Sequence, residues 1–344
     1  MKKVAEIVRR EQARITVLSA MSGTTDSLVR ISRAAASGDR NAIEEQLAML
    51  TDKYTRCIEE LLRERKQQAL ARMNATFGLI RDEAAAFEEY ESERKIIAQG
   101  ELLTSAIFTA YLQETGLKAE CLYSPDFMVK DPGEKVDTER IGRALARVAG
   151  DDSTFFVAQG FICSDSQGRI DNLGRGGSDY SAALMGAAVE AAEVQIWTDI
   201  DGMHNNDPRF VDNTRPIRTM SFDEAAELAY FGAKILHPAT IQPCKDHGIA
   251  VLLKNTMDPE APGTTISNRD DDTKSFHAVA AKDGITVIRI HSARMLMAYG
   301  FLRKVFEIFE QYRTPIDMIT TSEVAVSLLS LIHISEPTRP LYIS

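Results

Sequence analysis

The sequence predicts an α/β protein in which helices cover a largely parallel sheet. Two patterns in the sequence are informative, one after about residue 118 and one before it. From about residue 118, short apolar segments rich in β-branched and aromatic residues alternate with segments of helical periodicity. Before that point, residues 40 to about 117 keep apolar residues at steps of three and four, which predicts a helical hairpin packed on the main domain. The heptads are not sustained, which disfavours a coiled-coil partner site.

The elements of the first domain follow from local patterns. They are a helix through Val4, Ile7 and Val8, strands at 15–18, 155–161, 194–197 and 249–253, and helices at 180–193 and 221–235. Ser221 and Glu224 form a capping box at the start of the last helix, and a further short helix ends at Gly248.

A second, smaller domain is predicted after a polar linker. Residues 268–274 contain three consecutive aspartates and have no periodicity. Strands at 278–281 and 286–290, a helix at 301–312 and a strand at 315–319 then give a βαβ order.

Composition narrows the class of function. The net charge is -10, which argues against nucleic acid or an anionic membrane as the main partner. No apolar run reaches membrane-spanning length. The cysteines are scattered with no close pair, which favours reduced thiols and a cytoplasmic protein: Cys57, Cys121, Cys163 and Cys244.

The strongest local signal for chemistry is a glycine-rich segment before a helix. It reads Arg175-Gly176-Gly177-Ser178-Asp179-Tyr180. Ser178 can cap the helix, whose N-terminus favours an anion, and Arg175 can bind a carboxylate or phosphate in bidentate fashion. Asp179 can accept an ammonium, so the segment is suited to a zwitterion. An ordinary strand-to-helix turn explains the pattern equally well.

A second signal follows a strand, at residues 197–209. Thr198, Asp199, His204 and Arg209 lie in this acidic segment. An EF-hand is excluded because the glycine and glutamate positions do not match, and without a His-x-x-x-His pair His204 is a poor metal-ligand candidate. A nucleotide fits better, with carboxylates for hydroxyls or hydrated magnesium. A solvated acidic turn is the alternative.

Two further residues are only weak candidates for functional residues when each is considered by itself. Lys234 lies late in a helix beside glycine and can reach a phosphate, although such lysines more often complement a helix C-terminus. Glu101 follows Gly100 in a helix, where a single glutamate is usually solvated. The sequence has no P-loop, no Gly-x-Gly-x-x-Gly and no nucleophile in a recognisable setting, so a covalent mechanism lacks support.

Taken together, these segments resemble aspartate kinases of the amino acid kinase family, most of all the kinase part of bifunctional aspartokinase–homoserine dehydrogenases. The similarity runs from about residue 4 to 328. The matching segments keep the family's order: 17–25, 99–102, 159–161, 175–180, 197–209, 231–238 and 258–264.

The resemblance implies a three-layer αβα kinase domain over residues 1–267, with a helical insertion at about 40–117. A linker at 268–276 and a partial ACT-like βαβ domain at 277–328 would follow. It also implies transfer of the ATP γ-phosphoryl group to the side-chain carboxylate of L-aspartate, with Mg²⁺ carried by ATP. ACT domains bind feedback amino acids, here lysine or threonine, and a homodimer is expected.

The resemblance assigns roles to individual residues. Arg175 would hold the substrate carboxylate, and Glu101 and Asp179 would hold the amino end. Ser19 and Thr25 would line the pocket together with the segment from Gly176 to Ser178. The nucleotide contacts would be Thr198, Asp199, Arg209 and Lys234, and also His204, where the family often has tyrosine.

Both ends depart from the family pattern. The family opens with a Lys-Phe-Gly-Gly-Thr-Ser strand that serves the phosphates, and the sequence starts after it, so weak or absent activity is expected. The segment 329–340 looks like the in-frame translation of a sequencing adaptor, which predicts that residues 329–344 are not native.

Three alternatives remain. Another amino acid kinase, acting on glutamate, acetylglutamate, carbamate or UMP, is disfavoured by the helical insertion and the ACT-like segment. A non-catalytic amino-acid-binding protein is the second. A dinucleotide-dependent enzyme is the third, and it is disfavoured because the glycine fingerprint is missing.

Overall fold

A computed structural model describes residues 1–133, 135–150, 153–174, 176–206, 210–231, 236, 238–268, 278–279, 285–291, 299–322 and 324–330. The chain divides into two compact units, Met1–Val279 and Ala280–Ser344. Among the described residues, no helix combines the length and the apolar character that crossing a membrane requires.

The first unit alternates strands and helices, as predicted. Its helices are α1 (Lys2–Glu11), α2 (Thr24–Ser37), α3 (Arg40–Leu61), α4 (Lys66–Ala85), α5 (Glu89–Glu114), α6 (Thr138–Ala149), α7 (Gly177–Ala188), α8 (Phe222–Phe231) and α9 (Gln242–His247). Its strands are β1 (Ile15–Leu18), β2 (Ala119–Cys121), β3 (Phe155–Gln159), β4 (Ile162–Ser164), β5 (Ile170–Asn172), β6 (Glu193–Thr198), β7 (Thr219–Ser221), β8 (Ala250–Asn255) and β9 (Thr264–Ser267).

A parallel sheet of order β1-β3-β2 forms one part of the unit. The central strand, β3, is buried from Phe156 to Gln159, as expected for a parallel strand covered on both faces. Leu18 pairs with Gln159, so β1 and β3 end side by side. The loops that follow these two strands therefore leave the sheet at the same edge.

A mixed sheet of order β6-β8-β9-β7 forms another part. Strands β6 and β8 are parallel with Thr198 opposite Asn255, whereas β8 and β9 are antiparallel. The capping box predicted before α8 is present, because the Ser221 amide donates to Glu224 Oε2 at 2.8 Å and the Glu224 amide donates to Ser221 Oγ at 3.2 Å. The short helix α9 ends at Gly248, also as predicted.

The predicted helical hairpin is wrong, because the insertion contains three long helices, α3, α4 and α5. They share an apolar core with α2. The turn between α3 and α4 has no glycine or proline to mark it. Instead, Glu114 on α5 accepts hydrogen bonds from the amides of Arg63 (2.9 Å) and Arg65 (2.6 Å). A distant side chain thus satisfies the turn, and local periodicity could not reveal it.

A buried ion triad joins α5 to the β4–β5 hairpin. Asp171 on β5 contacts Lys130 Nζ at 2.8 Å and Arg94 Nε at 2.5 Å. Burial alone would raise the pKa of Asp171, but hydrogen bonds from Lys130, the Asn172 amide and Arg94 outweigh it, and the pKa is lowered. The triad therefore fixes the chain just before the segment that begins at residue 173.

The second unit contains β10 (Thr286–His291), α10 (Phe301–Gln311), β11 (Met318–Thr321) and β12 (Ala325–Ser330). β10 and β11 both run antiparallel to β12, which lies between them. The unit is thus a split βαβ motif, in agreement with the predicted ACT-like order. Its helix packs on the sheet through Val305, Val326 and Leu328.

Several predicted boundaries differ from the structure or fall outside its described part. Helix α7 begins at Gly177 and ends at Ala188, earlier at both ends than predicted. Strand β11 begins at Met318, and residues 278–279 are not in a strand. Residues 232–235 of the predicted helix, most of the linker and residues 331–344 lie outside the described residues.

Replacing Asp171 with alanine is expected to lower the free energy of unfolding by about 3–5 kcal/mol, because buried Lys130 and partly buried Arg94 would both lose the carboxylate that they share. Urea denaturation followed by circular dichroism measures this change. Glu44→Ala, which removes the exposed Arg81–Glu44 pair, is the control and should cost less than about 1 kcal/mol. Equal losses in the two variants would contradict the role of the triad.

Candidate functional site

Three chain segments meet where β1 and β3 end. The Gly160 amide donates to the Leu18 carbonyl oxygen at 2.9 Å, which continues the pairing of the two strands by one residue. Just beyond, Ser19 Oγ donates to Ser178 Oγ at 2.7 Å. The carboxyl edge of a parallel sheet is where α/β proteins bind ligands, and here it is joined to the start of α7.

The start of α7 approaches β3 so closely that residue 160 must be glycine. A Cβ at this position would lie 2.8 Å from the Ser178 Cα and 2.7 Å from its Cβ. Such distances are too short for a methyl group facing backbone. The sequence Gln159-Gly160-Phe161 therefore allows the helix N-terminus to lie against the end of the strand.

Helix α7 begins differently from the prediction. Its N-cap is Gly176, with φ 70°, and the helix starts at Gly177. Ser178 lies inside the first turn and does not cap it, because its hydroxyl faces Ser19 instead. Within the described residues no side chain caps the first-turn amides; the Gly177 amide donates to the Gly174 carbonyl oxygen at 3.1 Å, and the amides that follow it lack an intrahelical acceptor until Tyr180. This turn is suited to an anion such as a carboxylate.

Glu101 enters the site from the middle of α5. It is buried, with 3 % of its surface exposed, and its Oε1 accepts a hydrogen bond from the Ala20 amide at 3.3 Å. Its other oxygen, Oε2, is buried and has no hydrogen-bond partner in the described part of the chain. Burial raises the pKa of Glu101 to about 7.

Gly100 makes this position of Glu101 possible. A Cβ at residue 100 would lie 2.8 Å from the Ala20 Cβ, so α5 touches the chain just after β1. In the sequence Glu101 is a single glutamate in a long helix, and only this long-range contact distinguishes it from a solvated one.

Asp179 supplies a second carboxyl group. It lies in the first turn of α7, as predicted, and burial raises its pKa to about 6. No hydrogen bond to it is found within the described ranges, and burial is the cause of the shift. Glu101 is thus buried and Asp179 half-buried, and a carboxyl group in either setting is stabilised in its charged form by a cation.

Of the remaining predicted residues of this site, three lie in the described part of the chain and one does not. Thr25 is half-buried in the first turn of α2, directly after the chain segment that starts at Ser19. Gly176 and Gly177 form the N-terminal end of α7. Arg175 lies outside the described residues, so its predicted contact with a carboxylate stays a prediction.

Gln159 is a residue of the site region that sequence reasoning did not single out. Its side chain, 1 % exposed, accepts from the Ser124 amide at 2.9 Å and donates to Ser105 Oγ at 2.8 Å and to the Leu122 carbonyl at 2.9 Å. It thus joins the end of β3 to α5 and to the chain after β2. Its place in a segment that matches the family was the available signal.

The second predicted cluster follows β6. Thr198 Oγ1 accepts from the Ile200 amide at 3.1 Å, and Asp199 is exposed. His204 is held inside the loop, because Nε2 lies 2.7 Å from Asp201 Oδ1 and Nδ1 lies 2.9 Å from Thr214 Oγ1. Its contact with a nucleotide stays a prediction, as do those of Arg209 and Lys234, which lie outside the described residues.

Thr264 fixes the shape of this loop, and residue-level reasoning missed it. Its hydroxyl accepts from the Met203 amide at 2.8 Å and donates to the Ile217 carbonyl at 2.6 Å. One side chain on β9 therefore holds both sides of the loop between β6 and β7. Its position at the end of the family-like segment 258–264 was the signal in the sequence.

Comparisons with known proteins identify the family to which the chain belongs. Residues 1–255 match the family model described as the amino acid kinase family, and the chain belongs to that family. Within it, the relatives are aspartokinases.

The lysine-sensitive aspartokinase 3 of Escherichia coli is 34% identical over 95% of this chain and 74% of its own length. The chloroplastic aspartokinase 1 of Arabidopsis thaliana is 35% identical over 95% of this chain and 60% of its own. The crystal structure of E. coli aspartokinase III with aspartate and ADP superposes with a TM-score of 0.81 and 32% identity, covering 96% of this chain and 74% of that one.

Replacing Thr264 with valine is expected to loosen the loop after β6, because the Met203 amide and the Ile217 carbonyl lose their shared partner. Hydrogen exchange of peptides covering residues 200–217 measures this and should be about tenfold faster at Met203. Thr265→Val, on the opposite face of β9, is the matched control. Unchanged exchange in Thr264→Val would contradict the assignment.

Proposed function

We propose that the protein is an aspartate kinase, which transfers the γ-phosphoryl group of ATP to the side-chain carboxylate of L-aspartate. The product is 4-phospho-L-aspartate, the first intermediate of lysine, threonine and methionine biosynthesis. One structural observation supports the proposal in addition to family membership. Glu101 is a buried carboxyl group with an unpartnered oxygen, and it lies beside the loop that joins β1 to α2.

The site suits the two ends of an amino acid. The substrate ammonium group binds Glu101 and Asp179, whose burial strengthens the attraction. A substrate carboxylate binds Arg175 and the first-turn amides of α7, which have no side-chain cap. Ser19 and Thr25 line the pocket on the side of β1. This pattern of charge favours a zwitterion over a simple dicarboxylate.

The loop after β6 suits the nucleotide. Thr198, Asp199, Arg209 and Lys234 contact ATP, and Asp199 offers an exposed carboxylate to a hydroxyl or to hydrated magnesium. Mg²⁺ enters with ATP as part of the substrate and neutralises phosphate charge. His204 contributes mainly by holding the loop, since both of its ring nitrogens have partners there.

The chemistry needs no nucleophile from the protein. An oxygen of the substrate carboxylate attacks the γ-phosphorus, and the bond from that phosphorus to the departing ADP oxygen breaks. The attacking carboxylate is already ionised at neutral pH, so no general base has to remove a proton. The protein contributes position and charge stabilisation, which is the usual division of labour in phosphoryl transfer.

The second unit is the proposed site of regulation. Its split βαβ motif has the ACT-like order that the sequence predicts. The E. coli relative is named for its sensitivity to lysine. We therefore propose a feedback amino acid, lysine or threonine, as the ligand of this unit, and a homodimer as the assembly.

ATP- and aspartate-dependent formation of aspartyl hydroxamate tests the proposed reaction. A second chain carries a Lys-Phe-Gly-Gly-Thr-Ser strand in front of Met1, because the resemblance assigns phosphate contacts to that strand. Hydroxamate formation is expected to be faster with the strand, and Glu101→Gln should lower kcat/KM for aspartate roughly a hundredfold. Glutamate, acetylglutamate, carbamate and UMP are tested in parallel. Preference for one of these, or no turnover by either folded chain, would refute the proposal.

Aspartate affinity is expected to depend on pH through Glu101. With a pKa of about 7 in the free protein, this carboxyl must lose its proton to bind an ammonium group. The dissociation constant should therefore rise roughly fivefold from pH 7 to pH 6, or roughly tenfold from pH 8 to pH 6, and level off above pH 8. Aspartate itself keeps one net charge over this range.

Calorimetric titration of aspartate between pH 6 and pH 8.5 measures the effect. Glu101→Gln should bind weakly and keep only the roughly twofold rise near pH 6 that Asp179, with its pKa of about 6, would cause. Glu120→Gln, which alters a carboxylate paired with Arg147 at the surface, should keep the wild-type profile. A flat profile in the wild-type protein would show that Glu101 is already ionised before aspartate binds.

A further inference from the structure

The loop at residues 19–23, which joins β1 to α2, and the first turn of α2 are held by side chains of the helical insertion. The Met21 amide donates to Thr104 Oγ1 on α5 at 3.2 Å. The Ser22 carbonyl accepts a short hydrogen bond from Lys53 Nζ on α3. These contacts come from α5 and α3, whereas Ser19 is bonded to α7. The insertion therefore contributes to the wall of the site.

Tyr54 lies at the centre of these contacts. Its ring is fully buried, and its hydroxyl lies 3.2 Å from Thr104 Oγ1 and 3.4 Å from Thr24 Oγ1. A phenol has one proton, and it is donated to Thr24, so Thr104 donates to the phenolic oxygen. Thr104 in turn accepts from the Met21 amide. The chain of hydrogen bonds runs from the loop into the insertion and back to the loop.

Lys53 is the neighbouring residue on α3 and contacts the same loop. Besides the Ser22 carbonyl, its Nζ donates to Thr24 Oγ1 at 3.1 Å. Burial lowers the pKa of this half-buried lysine. No carboxylate pairs with it in the described part of the chain, in contrast to Lys66, which pairs with Glu59 at 2.9 Å. Its ammonium group donates instead to two neutral oxygens, the Ser22 carbonyl oxygen and Thr24 Oγ1.

We propose that Lys53 and Tyr54 are positioning residues for the amino-acid substrate. They hold residues 19–25 in the conformation that brings Ser19 and Thr25 to the pocket and the Ala20 amide to Glu101. The inference rests on the proposed aspartate kinase activity. Neither residue touches the substrate, and both act through the loop.

Lys53 and Tyr54 hold the loop in different ways because they lie on different faces of α3. Adjacent residues of a helix point about 100° apart, so Tyr54 faces the bundle core while Lys53 stays at its rim. The Tyr54 ring packs edge-on against Phe77, with centroids 6.0 Å apart. Tyr54→Phe therefore removes the hydroxyl and keeps the packing. Lys53→Met removes the donor and keeps the length of the side chain.

Each variant is expected to raise KM for aspartate roughly tenfold, since a hydrogen bond that fixes the loop is lost. KM for ATP and kcat should change by less than about twofold, because the nucleotide loop and the first turn of α7 are not touched. Lys53→Arg should recover much of the affinity, because the guanidinium keeps donors for both oxygens. Thr51→Val is the matched control, because among the described residues the Thr51 hydroxyl bonds only to the Leu47 carbonyl oxygen of the same helix.

Thr24→Val supplies an independent check, because Thr24 accepts from both residues. In a double-mutant cycle, Tyr54→Phe should add little to the effect of Thr24→Val, whereas independent roles would give additive effects and would oppose the inference.

Titration calorimetry with aspartate, without ATP, separates the possible failures. If the wild-type protein binds no aspartate, the proposed function fails. If the wild-type protein binds aspartate and both Lys53→Met and Tyr54→Phe bind it equally well, the positioning role is overturned. Melting curves identify any variant that does not fold, and Lys53→Met, at a half-exposed position, remains as the second test.

Discussion

The fold depends on the parallel pairing of β1 with β3 in one register. Because Leu18 lies opposite Gln159, the chain leaves both strands at the same edge, where Ser19 bonds to Ser178 at the start of α7. The Gly160 amide extends the pairing by one residue, and its missing Cβ admits the start of α7. Gly100 does the same for α5, which brings Glu101 to the Ala20 amide. A shift of one residue in the register would separate these groups and reverse the faces of the strands.

The sequence predicts the elements of this arrangement better than their contacts. Strand β1, the capping box before α8 and the end of α9 at Gly248 follow from local rules, and the structure has all three. Ser178 was predicted to cap α7, but Gly176 takes that position because its positive φ starts the helix one residue after it. The carboxyl pair was predicted only through resemblance, since burial by distant helices is what distinguishes Glu101 from a solvated glutamate.

Long-range polar contacts account for what the sequence could not predict. Asp171, Gln159, Thr264 and the pair Lys53–Tyr54 each join segments that are far apart in the chain. Hydrophobic periodicity is blind to such contacts, because a residue's partner is set by the packing of whole elements. The division of the insertion into α3, α4 and α5 could not be predicted for the same reason. The turn between α3 and α4 is held by the side chain of Glu114, which is distant in the sequence.

The contact of Glu114 with the turn after α3 has a consequence for how the insertion folds. The two amides that donate to it lie 51 and 49 residues earlier in the chain, so these hydrogen bonds replace bonds to water only when the end of α5 has reached the turn. The ends of the insertion are thereby coupled, and its helices should gain and lose protection against solvent together, as one cooperative unit. The insertion would therefore unfold and refold as a single foldon within the α/β unit, and the contact of Glu114 at the end of α5 would complete it.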